Sequence, residues 1–335
     1  MHTIKAKNIA DGYHAMVTAL MTDGVKRGET RELTNVMIKI EEPFQNTYVP
    51  NRDLKLKWGL PVSYMLAELL WSGSGDNSLD YIAQFSKFWN HLSEDGKTVN
   101  SAYGYIAMKK FGFSQIDAII DELKKNPNSR RATLKINVPR TPGTPSISDT
   151  LDEWCTMYLQ FQISDDNRLD MTGAMRSNDV WFGFPIDYTY FLYIQYTIAE
   201  ALGIKTGSYT HIANSLHVYD NHYDDLVRHM KDWKPNITEY NNYTLDYGVL
   251  SSNHVEGMGR THQTTLEVLY EEFKPEASIK AFNVAHNTEY TERTPEIDQF
   301  TRKRLMERAN ELDILVPSQI GEAKETISPV MYYKA

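Results

Sequence analysis

The apolar positions of this chain switch between two periods. Over residues 33–41 they alternate, placing Val36, Ile38 and Ile40 on one face of a predicted strand. Over residues 60–71, Val62, Met65, Leu66, Leu69 and Leu70 recur at helical spacing. Glu68 stands beside that stripe, where a carboxylate is costly unless it has a partner or a task. A short helix is expected at 10–24, before the basic turn Lys26-Arg27-Gly28-Glu29-Thr30-Arg31, and Ser72-Gly73-Ser74-Gly75-Asp76-Asn77 should break the second helix. A further helix at 114–125 stops at Asn126-Pro127-Asn128, ahead of a strand at 132–138. Residues 140–150, rich in Pro, Gly, Ser and Thr, read as a loop. From 155 to 163, Cys155, Met157, Leu159, Phe161 and Ile163 alternate with polar neighbours, a strand with the cysteine at its entrance. A turn at Asp165-Asp166-Asn167 leads to a strand at 169–175, a long apolar helix at 187–202 with Asp187 at its N-cap, and a strand at 209–219. The irregular order of strands and helices predicts an α+β core, with none of the βαβ alternation or glycine-rich loops of a dinucleotide fold.

Composition narrows the function classes. Of 335 residues, 41% are hydrophobic and 24% charged, as in an ordinary globular protein. The 35 basic residues against 44 acidic give a net charge of -9, which argues against coating nucleic acid; an anionic ligand needs a local basic cluster. No apolar run approaches the ~18 residues of a membrane span, and Met1-His2-Thr3-Ile4-Lys5 is not the start of a secretory signal, so a cytoplasmic protein is expected. A single cysteine, Cys155, excludes an intrachain disulfide and any multi-cysteine metal site. The polar residues 241–335, with a charged helix at 295–312, read as a C-terminal extension of unknown role behind a catalytic domain of residues 1–240.

Several residues could carry chemistry. A lone cysteine is usually an inert small hydrophobe. Cys155, however, starts a strand whose hairpin partner ends in Arg176, and a guanidinium near the sulfur would favour the nucleophilic thiolate. Ser129-Arg130-Arg131 and Arg176-Ser177 have the composition of a phosphate site, against the plainer reading of solvated surface charge. His217 and Tyr219 share a strand face, as core packing would also allow. His211, His217, His222 and His229 lack the spacing and the acid of a metal site, and no metal is expected.

Six segments, in order, resemble the thymidylate synthase superfamily: Ala67-Glu68-Leu69-Leu70-Trp71; Asn100-Ser101-Ala102-Tyr103-Gly104; Asn126-Pro127-Asn128-Ser129-Arg130-Arg131; Trp154-Cys155-Thr156; residues 175–188, including Arg176-Ser177-Asn178-Asp179-Val180; and Ser215-Leu216-His217-Val218-Tyr219. The resemblance covers roughly residues 25–230. It implies a mixed β-sheet packed with helices and a homodimer joined through that sheet. Within the superfamily the chain is most similar to phage-type deoxycytidylate hydroxymethylases: it has Cys155-Thr156 where thymidylate synthases have Cys-His. It also has Asp187 where they have the asparagine that pairs with uracil. A carboxylate can accept from the N4 amino group of cytosine and share a proton at N3, and a site built for one polar edge can reject another by about 10⁴.

The resemblance implies a mechanism. The Cys155 thiolate adds to C6 of the pyrimidine, so that C5 can attack the one-carbon unit of 5,10-methylenetetrahydrofolate; Glu68 manages protons and Tyr103 assists removal of the C5 proton. Asp187 reads the base, His217 and Tyr219 bind the sugar 3′-hydroxyl, and Asn178, Asp179 and Trp89 border the folate. Arg176 and Ser177 bind phosphate together with Arg27 or its neighbour Lys26, while Arg130 and Arg131 act across the dimer from the other subunit. The product would be 5-hydroxymethyl-dCMP. Alternatives are a CMP hydroxymethylase of nucleoside biosynthesis, a dCMP C5-methylase, and a silent nucleotide-binding paralogue. The phage resemblance is also compatible with work in an infected bacterial cytoplasm. Partners are a small nucleotide and a second copy of the chain, with no nucleic acid and no membrane.

Overall fold

The strand predicted at residues 33–41 runs through the middle of the molecule. In a computed structural model, which describes residues 2–45, 62–137, 150–231, 243–256, 259–317 and 331–334, the chain opens with β1 (His2–Ala6), α1 (Ile9–Asp23), β2 (Val25–Arg27) and β3 (Thr30–Ile40). Val36, Ile38 and Ile40 of β3 are fully buried, and α1 packs on β1 and β3. Asn8 starts α1, its side-chain oxygen accepting from the backbone N–H of Asp11 at 2.9 Å. Helices follow: α2 (Val62–Gly73), α3 (Leu79–Ala83), a 3-10 turn at Lys87–His91, α4 (Tyr103–Met108) and α5 (Gln115–Lys125). Then come β4 (Thr133–Lys135), β5 (Thr156–Ile163), β6 (Arg168–Met175), β7 (Asn178–Asp179), α6 (Gly183–Leu202), β8 (Lys205–Tyr219) and α7 (Asp220–Lys231). The C-terminal part holds β9 (Tyr243–Leu245), α8 (Tyr247–Ser251), β10 (Asn253–Glu256), β11 (Gly259–Thr264), α9 (Thr265–Glu272), α10 (Pro275–His286), α11 (Pro295–Glu311), β12 (Leu315–Pro317) and β13 (Met331–Lys334).

Among the described residues the main sheet runs β13-β1-β3-β8-β6-β5-β4, with β2 paired to β3 and β7 to β8. β1 and β3 are parallel, as are β6 and β8, and the other neighbours along that path are antiparallel. The fold is α+β with a mixed sheet, as the order of sequence periods predicts. The loop expected at 140–150 lies outside the described residues except for Thr150, as do residues 60 and 61 of the second helix and Val138 of the fourth strand. No helix among the described residues is long and apolar enough to cross a membrane.

Two local departures from the expected pattern matter for the site. The alternation at 155–163 is broken at Met157, where the β5–β6 register shifts. Thr156 faces Met175 and Tyr158 faces Ala174, so Met157 is an extra residue of β5 against β6, and Thr156 is fully buried. Helix α6 begins at Gly183, four residues before Asp187. Pro185 needs no N–H partner in a first turn, so the helix can start upstream of it. Asp187 is therefore inside the helix and caps nothing. The carboxylate of Asp179 instead accepts from the N–H groups of Trp181 at 3.0 Å and Phe182 at 2.9 Å, just ahead of the helix.

The C-terminal helices are not a loose appendage. α9 and α11 pack against α2, and Leu266, Leu269, Phe273 and Leu305 join the same buried cluster as Leu70 and Trp71. Gln84 Nε2 donates to the Phe273 carbonyl at 3.2 Å, and the Tyr270 hydroxyl donates to Asp76 at 2.6 Å. Truncating Phe273 to alanine should therefore cost about 3–5 kcal/mol of stability for the whole chain, read from the urea midpoint. An unchanged midpoint would mean that these helices do not share the core of α2.

Candidate active site

The loop before Cys155 is pinned at four points. Asp152, buried, accepts from the N–H of Ser101 at 2.7 Å, and the Trp154 indole donates to the Asn100 carbonyl at 3.1 Å. From the opposite side Arg176 donates through Nε to the Trp154 carbonyl at 2.8 Å and through Nη2 to the Glu153 carbonyl at 2.9 Å. The N–H of Thr156 donates to the Tyr103 hydroxyl at 3.3 Å. Tyr103 reaches this place because α4 abuts the end of α2: a side chain at Gly104 would put its Cβ 1.8 Å from the Ser72 carbonyl oxygen, a distance no substitution could survive unmoved. That close approach seats Tyr103 of α4 beside the Cys155 loop and against the end of α2, the helix that carries Glu68.

The sulfur sits beside Arg176, as the hairpin predicts, and the guanidinium does favour the thiolate. Burial outweighs it. Desolvation, with added repulsion from Asp187, Asp152 and Glu153, pushes the Cys155 thiol up to about 11. Cys155 thus rests as a thiol, its Sγ 3.9 Å from the Glu153 carbonyl oxygen. The guanidinium favours the thiolate as the hairpin predicts, but burial penalises the same charge more strongly.

Two carboxyl groups face this region. Burial pushes Glu68 up to about 7, opposed by a hydrogen bond from Tyr64 one turn earlier on α2. The Tyr64 hydroxyl in turn accepts from the Trp89 indole at 3.0 Å. Trp89 is 9% exposed and packs on Trp71 with ring centroids 5.4 Å apart, so its N–H and much of its surface are engaged within the protein. Glu68 Oε2 is buried and has no hydrogen-bond partner among the described residues. Asp187 is pushed well above the carboxylate range, first by burial and next by the negative charge of Glu68, against the stabilising amide of Asn178. Both side chains keep a little accessible surface while lying deep in the molecule.

Behind Asp187 runs a polar chain. Asn178 Nδ2 donates to Asp187 Oδ2 at 2.8 Å, His211 Nε2 meets Asn178 Oδ1 at 3.1 Å, and the Tyr209 hydroxyl meets His211 Nδ1 at 2.7 Å. Asn178, expected at the folate, is thus engaged with the base-reading candidate. Burial lowers His211 to about 3, so its ring is neutral. Among the described residues no group of three or more His, Cys, Asp or Glu side chains is placed to hold a metal ion.

His217 and Tyr219 lie on one face of β8 as predicted, their rings in edge contact at 5.2 Å. His217 is buried, and its Nδ1 has no partner among the described residues. Tyr219 is 45% exposed, near enough to Asp179 and Cys155 for both to raise its phenol, after burial. Ser177 follows the exposed Arg176 at the end of β6. Arg27, exposed on β2, lies 3.6 Å from Glu32, while Lys26 pairs with Asp220. Arg130 and Arg131 are exposed in the turn between α5 and β4; the Arg131 N–H donates to Ser129 Oγ at 3.1 Å and the Arg130 carbonyl accepts from Gln160 at 3.4 Å. Tyr64 and Tyr209 escaped the sequence reading, and His211 was weighed there only as a metal ligand; the four-residue spacing of Tyr64 to Glu68 on one helix face was a usable signal.

The Glu68 shift has a consequence for stability. The folded carboxyl holds its proton to about pH 7, the unfolded one only to about 4.5, so between these values the folded state binds more protons and stability falls as pH rises. Glu68→Gln removes that ionisation. Its stability relative to the native chain should be about 2–3 kcal/mol more favourable at pH 8 than at pH 4 in urea titrations. An equal effect at both pH values would show that the carboxyl is not held protonated.

Comparison with known proteins gives the family. The thymidylate synthase family profile matches residues 11–246. A deoxyuridylate hydroxymethyltransferase from Pseudomonas phage M6 is 28% identical over 225 residues, covering 66% of this chain and 62% of that protein. A deoxycytidylate 5-hydroxymethyltransferase from Enterobacteria phage T4 is 31% identical over 183 residues, covering 52% and 73%. A thymidylate synthase from Clostridium beijerinckii is 29% identical over 194 residues, covering 53% and 70%. The chain thus spans less than two thirds of the phage M6 relative. The profile, however, matches well over half of the chain, so the chain belongs to the thymidylate synthase family.

Proposed function

We propose that the protein transfers a one-carbon unit to C5 of a pyrimidine nucleotide, that the nucleotide is dCMP, and that the product is 5-hydroxymethyl-dCMP. The observation that carries the cytosine reading is Asp187, a carboxyl group pushed toward its neutral form beside Glu68. A neutral carboxyl offers one donor and one acceptor, which match N3 and the N4 amino group of cytosine.

C5 of a pyrimidine is a poor nucleophile. Attack of the Cys155 sulfur on C6 shifts the C5–C6 π pair toward C5, and the thiol proton leaves to the Glu68 network. A carboxyl that titrates near neutrality, as Glu68 does, can take and return protons during turnover. Tyr103, within hydrogen-bonding distance of the Cys155 loop, assists loss of the C5 proton. Arg176 and Ser177, with Arg27, bind the phosphate, and His217 and Tyr219 take the sugar hydroxyl. The unpartnered Nδ1 of His217 fits such a ligand. Folate is the co-substrate we assign: 5,10-methylenetetrahydrofolate, when bound, supplies the one-carbon unit at the formaldehyde level. The partnerless Glu68 Oε2 and the Asp179 carboxylate fit its polar edge, and Trp89 borders the same region through Tyr64. In a homodimer, Arg130 and Arg131, exposed in one subunit, would complete the phosphate site of the other. Residues 1–240 would form the catalytic part, and residues 241–335 would brace α2 from behind.

A second reading, deoxyuridylate hydroxymethylation, is favoured by the names of the phage M6 relative and of a Bacillus phage SP01 relative that is 26% identical over 235 residues. Mass spectrometry of products from dCMP, CMP and dUMP with the folate separates the readings: 5-hydroxymethyl-dCMP is expected, and preferred turnover of dUMP would overturn the cytosine assignment. Asp187→Asn should move preference toward dUMP by at least tenfold in kcat/KM. Cys155→Ser should abolish turnover, a loss of more than about 10³, while nucleotide binding persists.

A further inference from the structure

The cytosine reading of Asp187 requires its proton to stay on one oxygen. A carboxylic acid can place its proton on either oxygen, and the two placements present opposite orders of donor and acceptor. Cytosine shows an acceptor at N3 and a donor at N4, whereas uracil shows a donor at N3 and an acceptor at O4. A free carboxyl could satisfy either by moving one proton.

We propose that the buried chain Tyr209–His211–Asn178 removes that freedom, fixing Oδ2 of Asp187 as an acceptor and making these three residues positioning residues for base selection. The proposal rests on the reading of Asp187 as the group that meets the base. Hydrogen-bond direction propagates along the chain without branching. Asn178 presents its amide nitrogen to Asp187 Oδ2, at 2.8 Å, so its oxygen faces His211 Nε2, at 3.1 Å. Nε2 must then carry the hydrogen. In a neutral imidazole the other nitrogen is an acceptor, so the Tyr209 hydroxyl, 2.7 Å from Nδ1, is the donor. Every link runs toward the carboxyl, and a proton on Asp187 is confined to Oδ1.

Reversing the order would need Asp187 to donate from Oδ2, Asn178 to turn its amide over, His211 to change tautomer and the Tyr209 hydroxyl to find another acceptor. Asn178, Tyr209 and His211 are all at most 2% exposed, so none of these changes can be supported by bulk water. Space is also reserved for the contact. A Cβ at Gly183 would lie 3.2 Å from Asn178 Nδ2 and 3.4 Å from Asp187 Oδ2, crowding the link nearest the base.

The test uses the full chain and the ratio of kcat/KM for dCMP and dUMP, together with calorimetric affinities for the two nucleotides without folate. Tyr209→Phe keeps the ring and removes the donor that sets the His211 tautomer. The discrimination ratio should fall at least fivefold toward unity in both measurements, with the thermal midpoint within a few degrees of the native chain. A smaller change in the ratio would overturn the proposal. Should Tyr209→Phe fail to fold, Gly183→Ala, at a helix start that tolerates alanine, reads the same ratio with the same fivefold threshold. If the native chain prefers dUMP, the cytosine reading fails while the fivefold collapse still supports the chain. If the native chain shows preference and the variants keep it, the chain fails while the base reading stands.

Discussion

Two carboxyl groups buried within reach of each other set the terms for the rest of this structure. Burial pushes both Glu68 and Asp187 up, and the negative charge of Glu68 pushes Asp187 further. Such a pair is held in place by the rigid elements that carry it. Glu68 rides on α2, whose flanks are covered by α6 on one side and by α9 and α11 on another. Asp187 rides on α6, locked by Asn178. The C-terminal helices therefore matter to the site through packing: they complete the buried surroundings of α2 and so help keep Glu68 out of water.

The same economy explains the cysteine. A sulfur packed among Asp187, Asp152 and Glu153 cannot ionise cheaply, and one guanidinium does not compensate. Holding it as a thiol also protects a lone cysteine from adventitious oxidation, because the thiolate is the reactive form. Reactivity is then tied to whatever changes the environment of the carboxyls, which is the natural result of placing nucleophile and acids in one desolvated volume.

Much of this was legible in the sequence, and the reasons differ by element. The strand at 33–41 could be read because one face is buried along its length, so alternation and burial coincide. Glu68 stood out because a carboxylate beside an apolar stripe is physically anomalous. The bulge at Met157 was invisible: it is set by how β5 pairs with β6, and no local pattern in residues 155–163 marks where the register slips. The early start of α6 was missed because an aspartate was taken as a cap, when the cap-like bonds come from Asp179. Asn178 was assigned by neighbourhood to Asp179, but adjacent residues of a strand point to opposite sides. Its partners, Asp187 and His211, come from different elements and no local pattern announces them.

Arg176 braces the loop that carries Cys155 while keeping donors to spare. Its Nε and Nη2 are committed to the Trp154 and Glu153 carbonyls, which fixes the plane of the guanidinium against the loop that carries Cys155. An arginine has five N–H donors, so three remain for an anion. A phosphate bound there would sit on the same rigid plane that orients the sulfur, and the distance between the two would be set by backbone carbonyls rather than by a flexible side chain. Replacing Arg176 with lysine would keep the charge but lose that plane, since an ammonium cannot span two carbonyls and an anion in fixed directions. The site's geometry thus depends on the guanidinium as a brace as much as on its charge, which is why an exposed arginine can be coupled to a buried thiol.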